Sequence, residues 1–174
     1  MDHLPARLET FIRSLQSNSK ILIPGCGEDY RPIEAFHRAG HDVTAIDFSP
    51  VAVERTRKAL TALSERIILG DFFSYDFGQA GFDFLYERTF LCGLPPTLWK
   101  NYAKRIAELL RPRGRLVGFF FYGEEADPPP FPLDQSTADE LFHDRFQLIQ
   151  SEPVTDSLPI FVGREKWQEW QLRS

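Results

Sequence analysis

Sulfur is scarce in this sequence. Cys26, Cys92 and Met1 are its only sulfur-bearing residues. Both thiols are expected to be reduced, and Cys26 reads as structural rather than nucleophilic because a glycine-flanked turn needs a small side chain. The four histidines, His3, His37, His41 and His143, fall at no metal-ligand spacing. They read as surface or helix-face residues, and no metal is expected. Lys and Arg form no basic run, and the formal net charge is −5, which argues against nucleic acid as the main partner. No apolar stretch is long enough to span a bilayer, and the start is not signal-like. A cytoplasmic protein without membrane attachment is therefore expected. Repeats, low-complexity tracts and interior linkers are also missing, so residues 1–174 are read as one domain, taken to be a monomer.

An apolar fraction of 43% and sixteen phenylalanines remain to build the core. The stretch KILIPGCGEDYRPIEAFHRAGHDVTAID, residues 20–47, organises the rest. Ile21-Leu22-Ile23 has the length and branching of a buried parallel strand. Gly25-Cys26-Gly27 then removes side chains at a sharp turn, leaving amides that could approach a ligand. A helix follows, with Tyr30, Ile33, Phe36 and His37 at helical spacing, Asp29 as its cap, Pro32 in its first turn and Gly40 as its stop. A second strand, residues 42–47, ends on Asp47. Strand, glycine turn, helix, strand and acid make half of a nucleotide-binding sheet, with the acid about 20 residues past the turn to take a ribose diol. A plain strand-to-helix turn is the bland alternative. The position where a dinucleotide fold wants its third glycine is Tyr30, preceded by Glu28 and Asp29. Acids and a bulky ring are a poor reception for a pyrophosphate. They suit S-adenosylmethionine, which carries a ribose, an adenine, an ammonium and a sulfonium but no phosphate.

The first nineteen residues read as an amphipathic helix on the sheet edge (Leu4, Leu8, Phe11, Ile12, Leu15). Ser49-Pro50 starts another helix, with Val53, Thr56, Leu60 and Leu63 inward. Residues 66–69 form a third strand ending in Gly70-Asp71-Phe72-Phe73, which is either an adenine contact or a surface turn over core phenylalanines. Residues 82–86 form a fourth strand, and ligands in a doubly wound sheet lie outside the carboxyl ends of such strands. Tyr86 to Phe90 should therefore face the reactive end of the cofactor, where an aromatic ring favours a sulfonium by about 0.5–2 kcal/mol. A helix follows Pro95-Pro96 and ends at Pro112 and Gly114. A fifth strand spans 114–122. The proline-rich loop 123–132 is either a wall of the substrate pocket, with Phe131 pointing in, or a surface connector. A helix over 136–142 and strands over 146–152 and 165–172 complete the chain. Trp167 and Trp170 cannot share one strand face, so a bulge or helical turn is an option there.

With these pieces placed, the sequence resembles the thiopurine S-methyltransferase family of class I S-adenosylmethionine-dependent enzymes, with its bacterial and halide- or thiol-methylating relatives. The resemblance rests on ILIPGCGEDY, HDVTAIDFSP, ILGDFF, FLYERTFLCGLPP and the PPPF of the loop. It implies an α/β, Rossmann-like, doubly wound and mostly parallel seven-stranded sheet with helices on both faces. It also implies that Gly25, Cys26 and Gly27 back the methionine and ribose, that Asp47 holds the ribose, and that Asp71 and Phe72 meet the adenine. Tyr86 and Glu87 would lie at the methionine end. Pro24, Tyr30, Phe48, Ser49 and Phe73 complete the expected cofactor shell. Arg88 is expected to be catalytic and to bind the acceptor, together with Phe90, Pro129, Pro130 and Phe131. The family usually carries an aromatic N-terminal segment that folds over the site. Here only the Leu4–Leu15 helix precedes the first strand, and the 123–132 loop is a candidate substitute.

The implied activity is methyl transfer to a small soft nucleophile, a thiol or thiopurine, or a halide, selenium or tellurium species. A thiol must first become a thiolate. Arginine is no base, but its charge stabilises that anion. The alternative for Arg88 is a salt bridge to Glu87 or Asp83. Two rival functions remain: a non-catalytic S-adenosylmethionine-binding protein and, disfavoured by Tyr30 and the neighbouring acids, a nicotinamide-dependent oxidoreductase.

Overall fold

A computed structural model describes residues 4–16, 18–79 and 81–174, so His3 and the outer parts of the expected first helix (1–3 and 17) lie outside the described residues. Seven strands form one sheet: β1 Lys20–Pro24, β2 Asp42–Asp47, β3 Ile67–Leu69, β4 Phe82–Arg88, β5 Leu110–Phe121, β6 Phe146–Pro153 and β7 Glu165–Leu172. Their spatial order is β3-β2-β1-β4-β5-β7-β6. Only β7 runs antiparallel to its neighbours. The order reverses between β1 and β4, which leaves a crevice at their carboxyl ends.

Helices cover both faces, and period-two alternation assigns side chains to each. Leu22, Leu85, Leu116 and Phe120 point to the face covered by α5 (Trp99–Leu109) and α6 (Gln135–Phe142). Ile21, Ile23, Tyr86, Val117 and Phe119 point to the face covered by α1 (Ala6–Ser14), α2 (Arg31–Arg38) and α3 (Pro50–Ala59). A single turn, α4 (Phe90–Gly93), follows β4 directly. The expected Ser49 cap is present, with its hydroxyl accepting the Ala52 N–H at 3.3 Å and Pro50 opening the helix.

Five expectations are corrected. Helix α1 lies across a sheet face, not the edge: Phe11 packs on Phe84 of β4 at 5.3 Å and on Trp167 of β7 at 5.4 Å, bridging over β5. The α2 cap position is Tyr30, and Asp29, one residue earlier, accepts the Arg31 N–H at 3.3 Å. Helix α5 ends at Leu109, before Pro112, and β5 begins in an irregular stretch where the register with β4 slips between Phe82 and Phe84. The tryptophans need neither a bulge in β7 nor a helical turn. Helices cover both faces of the sheet there, so alternation buries both rings: Trp167 packs with Phe11 of α1 and with Phe119 on one face, and Trp170 with Phe142 of α6 on the other. The bulge lies in β6, between Leu148 and Gln150. Finally, His41 is buried against Phe36, with its pKa lowered by burial, whereas His37 and His143 are exposed.

Candidate active site

The turn after β1 is stitched to β2. Gly25 and Cys26 donate to the Ile46 carbonyl at 2.8 and 3.3 Å, and Gly27 donates to Asp47 Oδ2 at 2.8 Å. The expectation of free amides is therefore corrected: the turn keeps its N–H groups for its own strand, and what glycine provides is room. Gly25 has φ +60°, and a Cβ there would come within 2.2 Å of the Phe90 ring. Gly25→Ala must therefore both strain the backbone and displace Phe90. Its stability should fall by at least about 1.4 kcal/mol, the scale of strain at one left-handed residue, read from the urea midpoint.

Two clefts meet at Gly25. The larger, about 550 Å³, is mostly apolar and is lined by Asp47, Phe48, Asp71, Phe72, Phe73 and Phe90, with Leu94, Leu98 and Asn101 beyond. Asp47 is half-buried at its mouth, and its second oxygen accepts the Ser49 N–H at 2.8 Å. Each carboxylate oxygen has a further lone pair, so a diol can still be accepted. Asp71 is exposed and accepts from the Phe73 N–H at 2.9 Å and the Ser74 hydroxyl at 3.1 Å. Phe72 is buried edge-on against Phe90 and serves as floor, whereas Phe48 is 77% exposed and offers its ring face at the rim.

The smaller cleft, about 190 Å³, is lined by Gly25, Cys26, Gly27, Tyr86, Arg88, Thr89 and Leu158. Glu28 and Asp29 stand at its mouth, each paired with an arginine: Arg55 at 2.7 Å and Arg31 at 2.6 Å. Burial, assisted by Asp47, pushes the Cys26 thiol up to about 12, which agrees with a structural role. Tyr86 is buried between Phe36 and Phe119, with its hydroxyl unpartnered and its pKa raised by burial. The Arg88 guanidinium lies over the Phe119 ring at 4.4 Å, with Nη1 buried and unpartnered. Neither salt bridge weighed for Arg88 forms. Asp83 pairs with Arg111, and Glu87 points to the opposite face of the sheet.

Glu87 is fully buried. Oε1 accepts the Phe90 and Leu91 N–H groups at 2.8 and 3.0 Å, and Oε2 accepts the Tyr102 hydroxyl at 2.5 Å. Glu87 therefore caps α4 and places Phe90, and it lines neither cleft. Pro24 closes β1 opposite Ile46, Tyr30 sits at the α2 start and Ser49 caps α3; none of these three lines a cleft either. The 123–132 loop does not wall the acceptor side. The Phe131 N–H donates to the Cys92 carbonyl at 2.7 Å, and its ring closes a small internal gap with Glu87 and Leu91, so Pro130 and Phe131 stay away from Arg88's cleft. Sequence reasoning missed Leu158, and it placed Thr89 only as part of the stretch 86–90. Leu158 arrives on the loop before β7 with no local motif to mark it. Thr89 bends the chain at φ +62°, a strained value for a β-branched residue that only the fold reveals.

The sheet order and the crevice it creates are those of class I methyltransferases. The Burkholderia thailandensis 1,6-didemethyltoxoflavin-N1-methyltransferase, solved with S-adenosylhomocysteine, superposes over 97% of this chain and 78% of its own with a TM-score of 0.77 at 21% identity. A family model described as Thiopurine S-methyltransferase matches residues 1–172. The probable thiol methyltransferase 2 of Arabidopsis thaliana is 30% identical over 166 residues, 90% of this chain and 71% of that protein. A Vibrio parahaemolyticus thiopurine S-methyltransferase is 30% identical over 143 residues, 71% of this chain and 64% of that protein. The chain belongs to the thiopurine S-methyltransferase family. It is an S-adenosylmethionine-dependent methyltransferase.

Proposed function

We propose that this enzyme methylates a small soft nucleophile, a thiol or thiolate-like acceptor, with the nucleoside of S-adenosylmethionine in the larger cleft and its methionine end in the smaller one. The observation that carries this reading is the pair of clefts joined at Gly25, one apolar with two carboxylates and the other holding the unpartnered Arg88 Nη1. The turn's engaged amides fit a ligand without phosphate. When bound, the cofactor supplies an electrophilic methyl group on a sulfonium. Asp47 takes the ribose hydroxyls, Phe48 and Phe73 hold the adenine, and Asp71 accepts from its amino group. Arg88 holds the acceptor as its thiolate at the methyl-bearing end, so the two reactants are aligned at contact distance. A halide or a selenium or tellurium anion would use the same guanidinium.

Asp47→Asn keeps the shape of the side chain and removes its charge. Cofactor affinity should drop by about 1.5–3 kcal/mol, or roughly 10–100-fold, as measured by calorimetry. Unaltered affinity would take Asp47 out of the site. The acceptor class is tested by following S-adenosylhomocysteine release across a panel of thiols, thiopurines, halides and selenols. The thiols and thiopurines should turn over first.

A further inference from the structure

Four buried polar atoms make no well-formed hydrogen bond: Tyr86 Oη and Arg88 Nη1, whose residues line the smaller cleft, and Ser157 Oγ and Glu165 Oε2, whose residues do not. The sheet register brings them together. Arg88 pairs with Phe119, Phe119 with Trp167 and Phe121 with Glu165, so Arg88 and Glu165 lie on one face across the aromatic deck of β5. Ser157 precedes Leu158, which lines the cleft, and its hydroxyl is close enough to the Glu165 carboxylate to influence its ionisation. Buried polar atoms are rarely left without good partners, and here two loosely matched pairs of neighbours, Tyr86 with Arg88 and Ser157 with Glu165, form one polar cluster.

We propose that Glu165, acting through the Ser157 hydroxyl, receives the proton that an acceptor thiol must lose. This rests on the reading of Arg88 as the thiolate's partner. In the transfer, the S–H bond breaks with its electron pair kept on sulfur beside Arg88. The proton passes to Ser157 Oγ as that hydroxyl hands its own proton to Glu165 Oε2, and Glu165 later returns it to water. No charge leaves the pocket: a thiol and a carboxylate become a thiolate and a carboxylic acid. Other groups are poorly placed for the task. Glu87 lies behind the sheet, Glu28 and Asp29 face arginines at the mouth, and the Cys26 thiol is itself held protonated. The groups facing Glu165 are Arg88 and Tyr86 from β4, Cys92 from α4, and Asp156 and Ser157 from the preceding loop. Burial raises the Glu165 pKa and Arg88 lowers it, which suits a carboxylate that must take up and release a proton. Glu165 does not line the cleft and is a positioning residue in this scheme.

The test compares benzyl mercaptan, a thiol protonated at neutral pH, with 4-nitrothiophenol, which is already ionised there. Glu165→Gln should cut turnover of benzyl mercaptan by about 100-fold or more while changing that of 4-nitrothiophenol less than about threefold. The rise of wild-type activity with pH through Glu165's titration should vanish. A second readout needs no turnover. With S-adenosylhomocysteine present, the wild type should bind benzyl mercaptan as its thiolate, read from the ultraviolet absorbance of that anion, and Glu165→Gln should bind it as the thiol. Ser157→Ala should show the same selectivity, and it carries the test if Glu165→Gln fails to fold. Equal loss on both acceptors, or the same thiolate absorbance in the wild type and Glu165→Gln, overturns the proposal and leaves the thiol activity standing. A wild type that methylates neither compound overturns both.

Discussion

Replacing Arg88 by alanine should lower kcat/KM for a thiol acceptor by about 10- to 100-fold, the roughly 1.5–3 kcal/mol of a charged hydrogen bond that holds the acceptor as its thiolate. Binding of S-adenosylhomocysteine should fall less than turnover, because its nucleoside contacts lie in the cleft on the other side of Gly25 and only its amino-acid end shares Arg88's cleft. The melting temperature should not fall. The guanidinium rests on Phe119, but its Nη1 is buried without a partner, and deleting an unsatisfied buried donor removes a desolvation cost. Activity lost with unchanged stability is the signature of a residue held ready for a ligand. Thiol kinetics matching the wild type would remove Arg88 from the chemistry.

Glu87 should behave in the opposite way, strongly for stability and indirectly for catalysis. Burial pushes its pKa up to about 7 against an ordinary 4.5, with Tyr102 and the α4 amides pulling the other way. For such a raised acid, the native state binds the proton more tightly than the unfolded chain does. The associated stability is complete below pH 4.5 and is lost as pH rises through 7. Glu87→Gln resembles the neutral form: its carbonyl can accept from Phe90 and Leu91, and its amide can face Tyr102. Urea midpoints of the two proteins should therefore agree near pH 5. Near pH 8 the wild type should lag by roughly 3 kcal/mol, the linkage value of that shift. Glu87→Ala should cost roughly 3–5 kcal/mol near pH 5, since it leaves two backbone donors and a phenol buried and unpaired, and less near pH 8, where the wild type has lost its own share. A wild type whose stability difference from Glu87→Gln does not vary with pH would contradict this account of the carboxylate.

What the sequence disclosed was local. Ile21 to Ile23, the glycines after them and the acid closing the second strand sit within one strand-turn-helix-strand unit. Their spacing is fixed by backbone geometry, so Gly25 and Asp47 could be found by counting. Asp71 and Phe73, next to the end of β3, followed from the same rule. Errors arose where a residue's neighbour is set by a distant strand. Glu87 and Arg88 are adjacent in the chain, and alternation sends one to Tyr102 and the other to Phe119. A shared motif gave no hint that one would be scaffold. Phe131 follows prolines in a loop that leaves the right end of the sheet, yet its backbone is tied to Cys92 and its ring turns inward. Leu158 comes to the cleft because β7 inserts antiparallel between β5 and β6, a pairing no short segment encodes.

The central claim is that the two clefts flanking Gly25 receive one adenosyl sulfonium ligand. Titration calorimetry of the purified protein with S-adenosylmethionine, S-adenosylhomocysteine and NADH tests it directly. The account predicts saturable heat at one site for the first two, reduced by Asp47→Asn, and none for the dinucleotide. No heat from either adenosyl ligand, or tighter binding of NADH, would contradict it.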